Sequence, residues 1–191
     1  MKIMKLCAFL LLSVLFAGCK SPQPTLKDNS VVDTANYLLG SGDIVNINVA
    51  GQPDLTMKVV LDNSGAINYP YIGKLELKGK TASQVDAEIT QRLRKGFVLN
   101  PMVTVNIAEF RKFYISGEVE NPNGYSYEPG LTVEKAIALA GGYTDRADRS
   151  DLKIRQSSTG ELLDNVDVTH SVLPGDLVII GIGFFWPWNY Q

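Results

Sequence analysis

Residues 62–96 read DNSGAINYPYIGKLELKGKTASQVDAEITQRLRKG, and the spacing of the apolar residues changes once within them. The first part has the pattern of strands about a turn. Residues 57–61 and 66–69 flank Asp62-Asn63-Ser64-Gly65, whose residue types favour a tight reversal and predict a hairpin between the two runs. From Thr81 the spacing lengthens to that of a helix over 81–94, with Ala82, Val85, Ile89 and Leu93 on one face. Thr81 and Gln84 form a capping box, and Arg92, Arg94 and Lys95 lie where the helix dipole favours cations, before Gly96 ends the helix. Alternating runs lie on either side: 43–49 (DIVNINV), launched from the turn Gly40-Ser41-Gly42, and 102–107 (MVTVNI) after Asn100-Pro101. Strand, hairpin, helix and strand describe a small α+β layer, one helix on a mixed sheet.

The next stretch repeats the theme. A strand at 113–116 and a turn at Asn121-Pro122-Asn123-Gly124 precede a helix capped by Thr132. Its Val133, Ala136, Ile137 and Ala140 face a core, Gly141-Gly142 ends it, and strands follow at 152–155 and 177–180. The echo is visible residue by residue. GAINYP at 65–70 parallels GYSYEP at 124–129, each followed by a Gly-x-Thr that opens a helix, at 79–81 and 130–132. LGSGDIV at 39–45 parallels LPGDLV at 173–178, although the strand order is permuted between the two blocks. The fold class is therefore α+β, built as two small mixed α/β modules.

Composition narrows the chemistry. Of 191 residues, 45% are hydrophobic and 20% charged, as in an ordinary folded protein. One histidine, His170, and two cysteines, Cys7 and Cys19, leave no material for a zinc site, a Cys-His dyad or a disulfide framework. Asp145, Asp148 and Asp151 recur every third residue, but Arg146 and Arg149 lie between them and the D-x-D-x-D-G spacing of a calcium loop is absent; a solvated, self-paired loop is expected. His170 reads as a turn or surface residue. Glu118 and Glu120 read as acids at a strand end rather than a glycosidase pair. No enzyme, metal or cofactor is expected.

The N-terminus carries an address. Lys2 and Lys5 precede the apolar run LCAFLLLSVLF at 6–16, too short for a membrane span, which needs about 20 residues. Residues 1–18 read as a signal peptide. It ends LFAGC, which resembles the bacterial lipoprotein box, with Phe16 standing where Leu, Val or Ile is usual. Cys19 is then the lipidated residue (palmitate among its acyl chains), while Cys7 is discarded as a small hydrophobe. Lys20 in place of Asp resembles lipoproteins sorted to the outer membrane. Without the two leader lysines, 16 of the 18 basic residues remain against 20 acidic ones, a net charge of −4 that argues against nucleic acid as a partner. Residues 19–36 form the lipidated N-terminus and tether, in which the stretch 20–35, rich in Pro, Ser and Asn, reaches about 55 Å at most.

Residues 37–110 resemble the polysaccharide export domain of Wza-type outer membrane lipoproteins: LGSGD before an alternating strand, the long segment 63–93, and the strand after Asn100-Pro101 carry the likeness. Residues 111–181, centred on ISGEVENPNGYSYEPGLTVEKAIALAGGYTD, resemble the soluble-ligand-binding β-grasp (SLBB) module that follows it. The resemblance implies a homo-oligomeric ring around a lumen through which capsule or exopolysaccharide leaves the periplasm. It also implies an inner-membrane polysaccharide copolymerase and tyrosine kinase as partner. The match is to the short members, with one β-grasp module and no C-terminal amphipathic helix. Only 11 residues follow Ile180, and Pro187 interrupts them, so a separate outer-membrane β-barrel is expected to supply the pore.

The tail, residues 182–191, holds Phe184, Phe185, Trp186, Trp188 and Tyr190, a set suited to docking on a membrane surface or a barrel partner, or to covering the body's own core. A second reading stays open: a monomeric envelope lipoprotein whose β-grasp module binds a soluble ligand or assists another envelope assembly.

Overall fold

Alternation places the first strand. In β1 (Ile44–Val49), Val45, Ile47 and Val49 are buried while Asn48 faces solvent. A computed structural model describes residues 34–183, and in it β1 is the middle of a three-stranded antiparallel sheet. Its neighbours are β2 (Met57–Val60), with Ile44 opposite Val60, and β5 (Val103–Glu109), with Asn46 opposite Asn106. β3 (Ala66–Tyr69) and β4 (Gly73–Glu76) pair apart from it, Ile67 opposite Leu75.

The hairpin expected across residues 62–65 does not form. The turn is there, but β2 pairs with β1 and β3 with β4. Asp62 Oδ1 accepts from the N–H groups of Ser64 and Gly65, and the Gly65 carbonyl accepts from Leu77 and Lys78. The reversal thereby closes on itself and hands the chain to a second sheet. The true hairpin turn lies at residues 70–72.

α1 (Ala82–Leu93) carries the full capping box: Gln84 N–H donates to Thr81 Oγ1 at 3.2 Å, and Thr81 N–H to Gln84 Oε1 at 3.0 Å. Val85, Ile89 and Leu93 are fully buried with Val45, Ile47, Leu75 and Leu77. Each such side chain contributes about 1.5–3 kcal/mol through removal from water.

The second module has its own core and a five-stranded mixed sheet, ordered β7 (Asn123–Tyr125), β6 (Phe113–Gly117), β10 (Leu177–Ile182), β8 (Ala147–Arg155), β9 (Leu162–Leu163). β10 runs parallel to β6, Val178 opposite Ile115, and antiparallel to β8, Val178 opposite Ile154. A parallel pair cannot be joined by a tight turn. Accordingly α2 (Val133–Leu139) and β8 intervene between β6 and β10, and Ala136 and Ile137 are buried with Phe113, Ile154 and Val178. Thr132 Oγ1 caps α2 by accepting from Lys135 N–H.

Two local expectations are corrected here. Asn123 and Gly124 are not turn residues but open β7, with Asn123 opposite Ile115, because the chain bends earlier, where Asn121 N–H donates to the Ala140 carbonyl. Residues 147–151 of the Asp-rich stretch are not a loop but the first half of β8. Pairing with β10, as of Ile182 with Ala147, overrides their polarity.

Candidate functional site

Both Gly-Asp repeats fold into the same device. Asp43 turns its carboxylate back to accept from Gly40 N–H at 2.7 Å, and Asp176 does likewise from Leu173 N–H at 3.0 Å, three residues earlier in each case. Gly42 and Gly175, immediately before each aspartate, both sit at φ 92, where a residue with a Cβ is strained. These are the two buried acids among the described residues. Each loop also lies against the N-cap of its helix: Leu39 N–H donates to the Lys80 carbonyl beside Thr81, and Val172 N–H to the Leu131 carbonyl beside Thr132.

Arg111, the connector between the modules, touches both loops. Its backbone N–H donates to Asp43 Oδ1 at 2.7 Å, its Nη1 to Tyr37 Oη at 2.9 Å, and its Nε to the Pro174 carbonyl at 3.1 Å. Nη1 also lies 3.4 Å from Asp43 Oδ2, a pair in which the aspartate is wholly buried. The guanidinium stands 5.5 Å from the centroid of the Tyr37 ring. A Cβ at Gly40 would collide with Arg111 Nη1, and one at Gly175 would come within 2.9 Å of its Nε. The glycines of both repeats therefore leave the space that one arginine fills.

Burial acts on two titratable groups of this joint. Burial, then the Asp43 carboxylate, push the Tyr37 hydroxyl far above the ordinary tyrosine range, so it remains a donor, 2.9 Å from Asp43 Oδ1. Burial raises Asp176 above the usual carboxylate range, opposed by N–H donors from Ser157 and Leu173 and by the charge of Arg111. Phe110 completes the seam by packing edge-on against Tyr37 of the first module (5.0 Å) and Tyr127 of the second (5.4 Å).

On the second module, Tyr125, Glu128, Leu131, Lys135 and Leu139 line an open groove of about 630 Å³. Its cation is already engaged, Lys135 Nζ donating to the Gly130 carbonyl at 2.8 Å.

Cys19 and the aromatic set Phe184, Phe185, Trp186, Trp188 and Tyr190 lie outside the described residues. Asp145, Asp148 and Asp151 do not converge: Asp148 accepts from Ser150, and Asp151 pairs with Lys153 at 3.1 Å. His170 is exposed after a turn. Glu118 accepts from Thr144 Oγ1 at 2.6 Å and pairs with Arg146 at 3.7 Å, while Glu120 is exposed. No group of metal-ligating side chains occurs among the described residues, and no helix among them is long and apolar enough to cross a membrane. Sequence reasoning found both Gly-Asp turns but missed Arg111 and Tyr37. The available signal was the repeat itself, since two matched loops imply something lying between them.

A polysaccharide biosynthesis/export protein family model matches residues 31–108, and an SLBB domain model matches residues 112–163. The chain is 30% identical over 157 residues to the EPS I polysaccharide export outer membrane protein EpsA of Ralstonia solanacearum, covering 79% of this chain and 41% of that protein. It is 45% identical over 81 residues to the exopolysaccharide production protein ExoF of Rhizobium meliloti (strain 1021), covering 41% of this chain and 19% of that protein. With the polysialic acid transport protein KpsD of Escherichia coli it shares 23% identity over 145 residues, 74% of this chain and 26% of KpsD. The matched segment thus spans well under half the length of each of these relatives.

Proposed function

Because this chain belongs to the polysaccharide biosynthesis/export family and carries an SLBB module behind the family domain, we propose that it is a subunit of a polysaccharide export complex of the outer membrane. Identical chains assemble as a closed periplasmic ring, and the polymer passes through its centre. The family is one of export proteins rather than enzymes. The observation that carries the reading is the Arg111 joint. A ring closes only if every subunit presents its two faces at a fixed angle, and Arg111 fixes one module against the other through Asp43, Tyr37 and Pro174.

The modules divide at Phe110 and Arg111. Lipid on Cys19 holds the ring to the outer membrane, the tether of residues 19–36 spaces it, and the aromatics of residues 182–191 dock on a separate β-barrel. An inner-membrane copolymerase with its kinase delivers polymer from the other side. A monomeric lipoprotein taking a small ligand in the groove beside Lys135 is the second reading, supported by the groove itself.

Anchoring and docking are tested together. Cys19→Ser should be exported yet recovered in the soluble periplasmic fraction without labelled palmitate, whereas a chain ending at residue 183 should stay anchored and stop delivering polymer to the surface. Membrane recovery of the serine variant, or normal surface polymer with the truncated chain, would contradict the respective assignment.

A further inference from the structure

We propose that Tyr71 and Phe97, with the cations Lys74, Arg94 and Lys95 beside them, form a binding platform for an acidic saccharide. The proposal rests on the export reading and names the chemistry of the polymer segment that touches this module.

The turn between β3 and β4 is the starting observation. Ile72 N–H donates to the Pro70 carbonyl at 2.8 Å, closing a three-residue turn with Tyr71 in the middle at φ 64. That is a γ-turn of the rarer, strained hand. Apart from glycines, only Tyr71 and Asn165 hold positive φ among the described residues, and asparagine tolerates that region where an aromatic residue does not. Core packing does not offset the strain, because Tyr71 is 67% exposed. Its ring stacks on Phe97, centroids 5.7 Å apart and planes at 28°, and Phe97 is itself 53% exposed. Two aromatic rings are thus held together in water by a backbone that glycine would suit better.

Basic residues flank the rings in sequence, Lys74 three residues after Tyr71 and Arg94 and Lys95 just before Phe97. Arg92 Nη1 donates to the Lys74 carbonyl at 3.0 Å, tying the end of α1 to β4 and bringing Lys74 to the same end of the module as Arg94 and Lys95. The charge of Arg92 is spent on Glu88, and Lys74 has only an exposed pair at 4.0 Å with Glu76. Arg94 and Lys95 form no ion pair among the described residues. The helix dipole accounts for cations here but not for the stacked rings. A pyranose ring offers an apolar C–H face to an aromatic ring, and its carboxylates offer partners to unpaired cations. In a chain of acidic balance this local reversal of sign selects acidic over neutral sugar.

The full lipidated chain in detergent is titrated calorimetrically with hexagalacturonate and with neutral maltohexaose. The acidic oligomer should bind more tightly by about tenfold and weaken as salt is raised. Tyr71→Ala and Phe97→Ala should each weaken it by about tenfold, while Tyr71→Phe should retain binding. Tyr71→Gly should lose binding while melting no lower than the parent, a combination that a structural role for the ring does not produce. The double variant R94E/K95E should bind both oligomers alike. No binding of hexagalacturonate, equal binding of the two oligomers by the parent, or unchanged binding by Tyr71→Ala would overturn the proposal. So would a changed oligomeric mass in Tyr71→Ala with binding intact, which would assign the face to a second copy. If cells lacking the chain export polymer normally, the export reading fails instead, so the two failures are distinguishable.

Discussion

Asp43→Ala is expected to destabilise the folded chain by about 3–5 kcal/mol, the range for removing one partner of a buried, hydrogen-bonded ion pair. Asp43 is wholly buried and accepts from Tyr37 Oη, Gly40 N–H and Arg111 N–H. Its loss strands all three donors and leaves the guanidinium facing a void. Asp43→Asn keeps one acceptor oxygen and should lose less. The contrast is Lys58→Ala, which breaks a pair with Glu109 whose side chains are 57% and 62% exposed. An exposed pair of that kind contributes about 0–1 kcal/mol. Urea unfolding of the three variants, with the denaturant slope unchanged, measures the difference. An Asp43→Ala loss no greater than that of Lys58→Ala would remove the joint from the account.

Phe113→Ala should cost a similar amount, about 3–5 kcal/mol, through a transfer loss plus the cavity left behind. Phe113 is fully buried at the start of β6, between β7 and β10, and its ring lies 5.9 Å from that of Tyr125. The informative part is where the damage is felt. Phe113 belongs to the second core, yet it stands two residues from Arg111, so with the joint intact both modules should unfold in one transition. In an Arg111→Ala background the same substitution should separate the transitions, with the first module outlasting the second. Hydrogen exchange at Ile47 and Val85 against Ile115 and Val178 reads the two cores independently. Early exchange confined to the second core while Arg111 is present would show that the joint transmits nothing.

The helices were legible because their signals are local. A Thr81-Gln84 box and a Thr132 cap declare themselves within one turn, and both bonds are made. Strand faces were legible for the same reason, since period two is a property of one segment. Strand partners were not, because alternation says which side of β2 turns toward the core and nothing about whether β1 or β3 lies beside it. Asp62 shows the limit: its residue types announce a reversal, and only the Gly65 carbonyl bonding Leu77 and Lys78 says where the chain goes next. Arg111 was invisible because no neighbour in sequence marks it, its partners lying 68 and 63 residues away. Tyr71 was likewise unmarked, since a positive φ at an aromatic residue runs against every propensity.

The central claim is that this chain works as a closed ring, and the mass of the complex extracted in mild detergent tests it most directly. Native mass spectrometry of the lipidated chain should give a single species at an integer multiple of the protomer mass, with cryo-EM class averages showing cyclic symmetry. In Asp43→Ala, whose modules are no longer held at one angle, that species should break up. A protomer mass at every concentration, with the lipid present and the fold intact, would contradict the ring and leave the groove beside Lys135 as the working site.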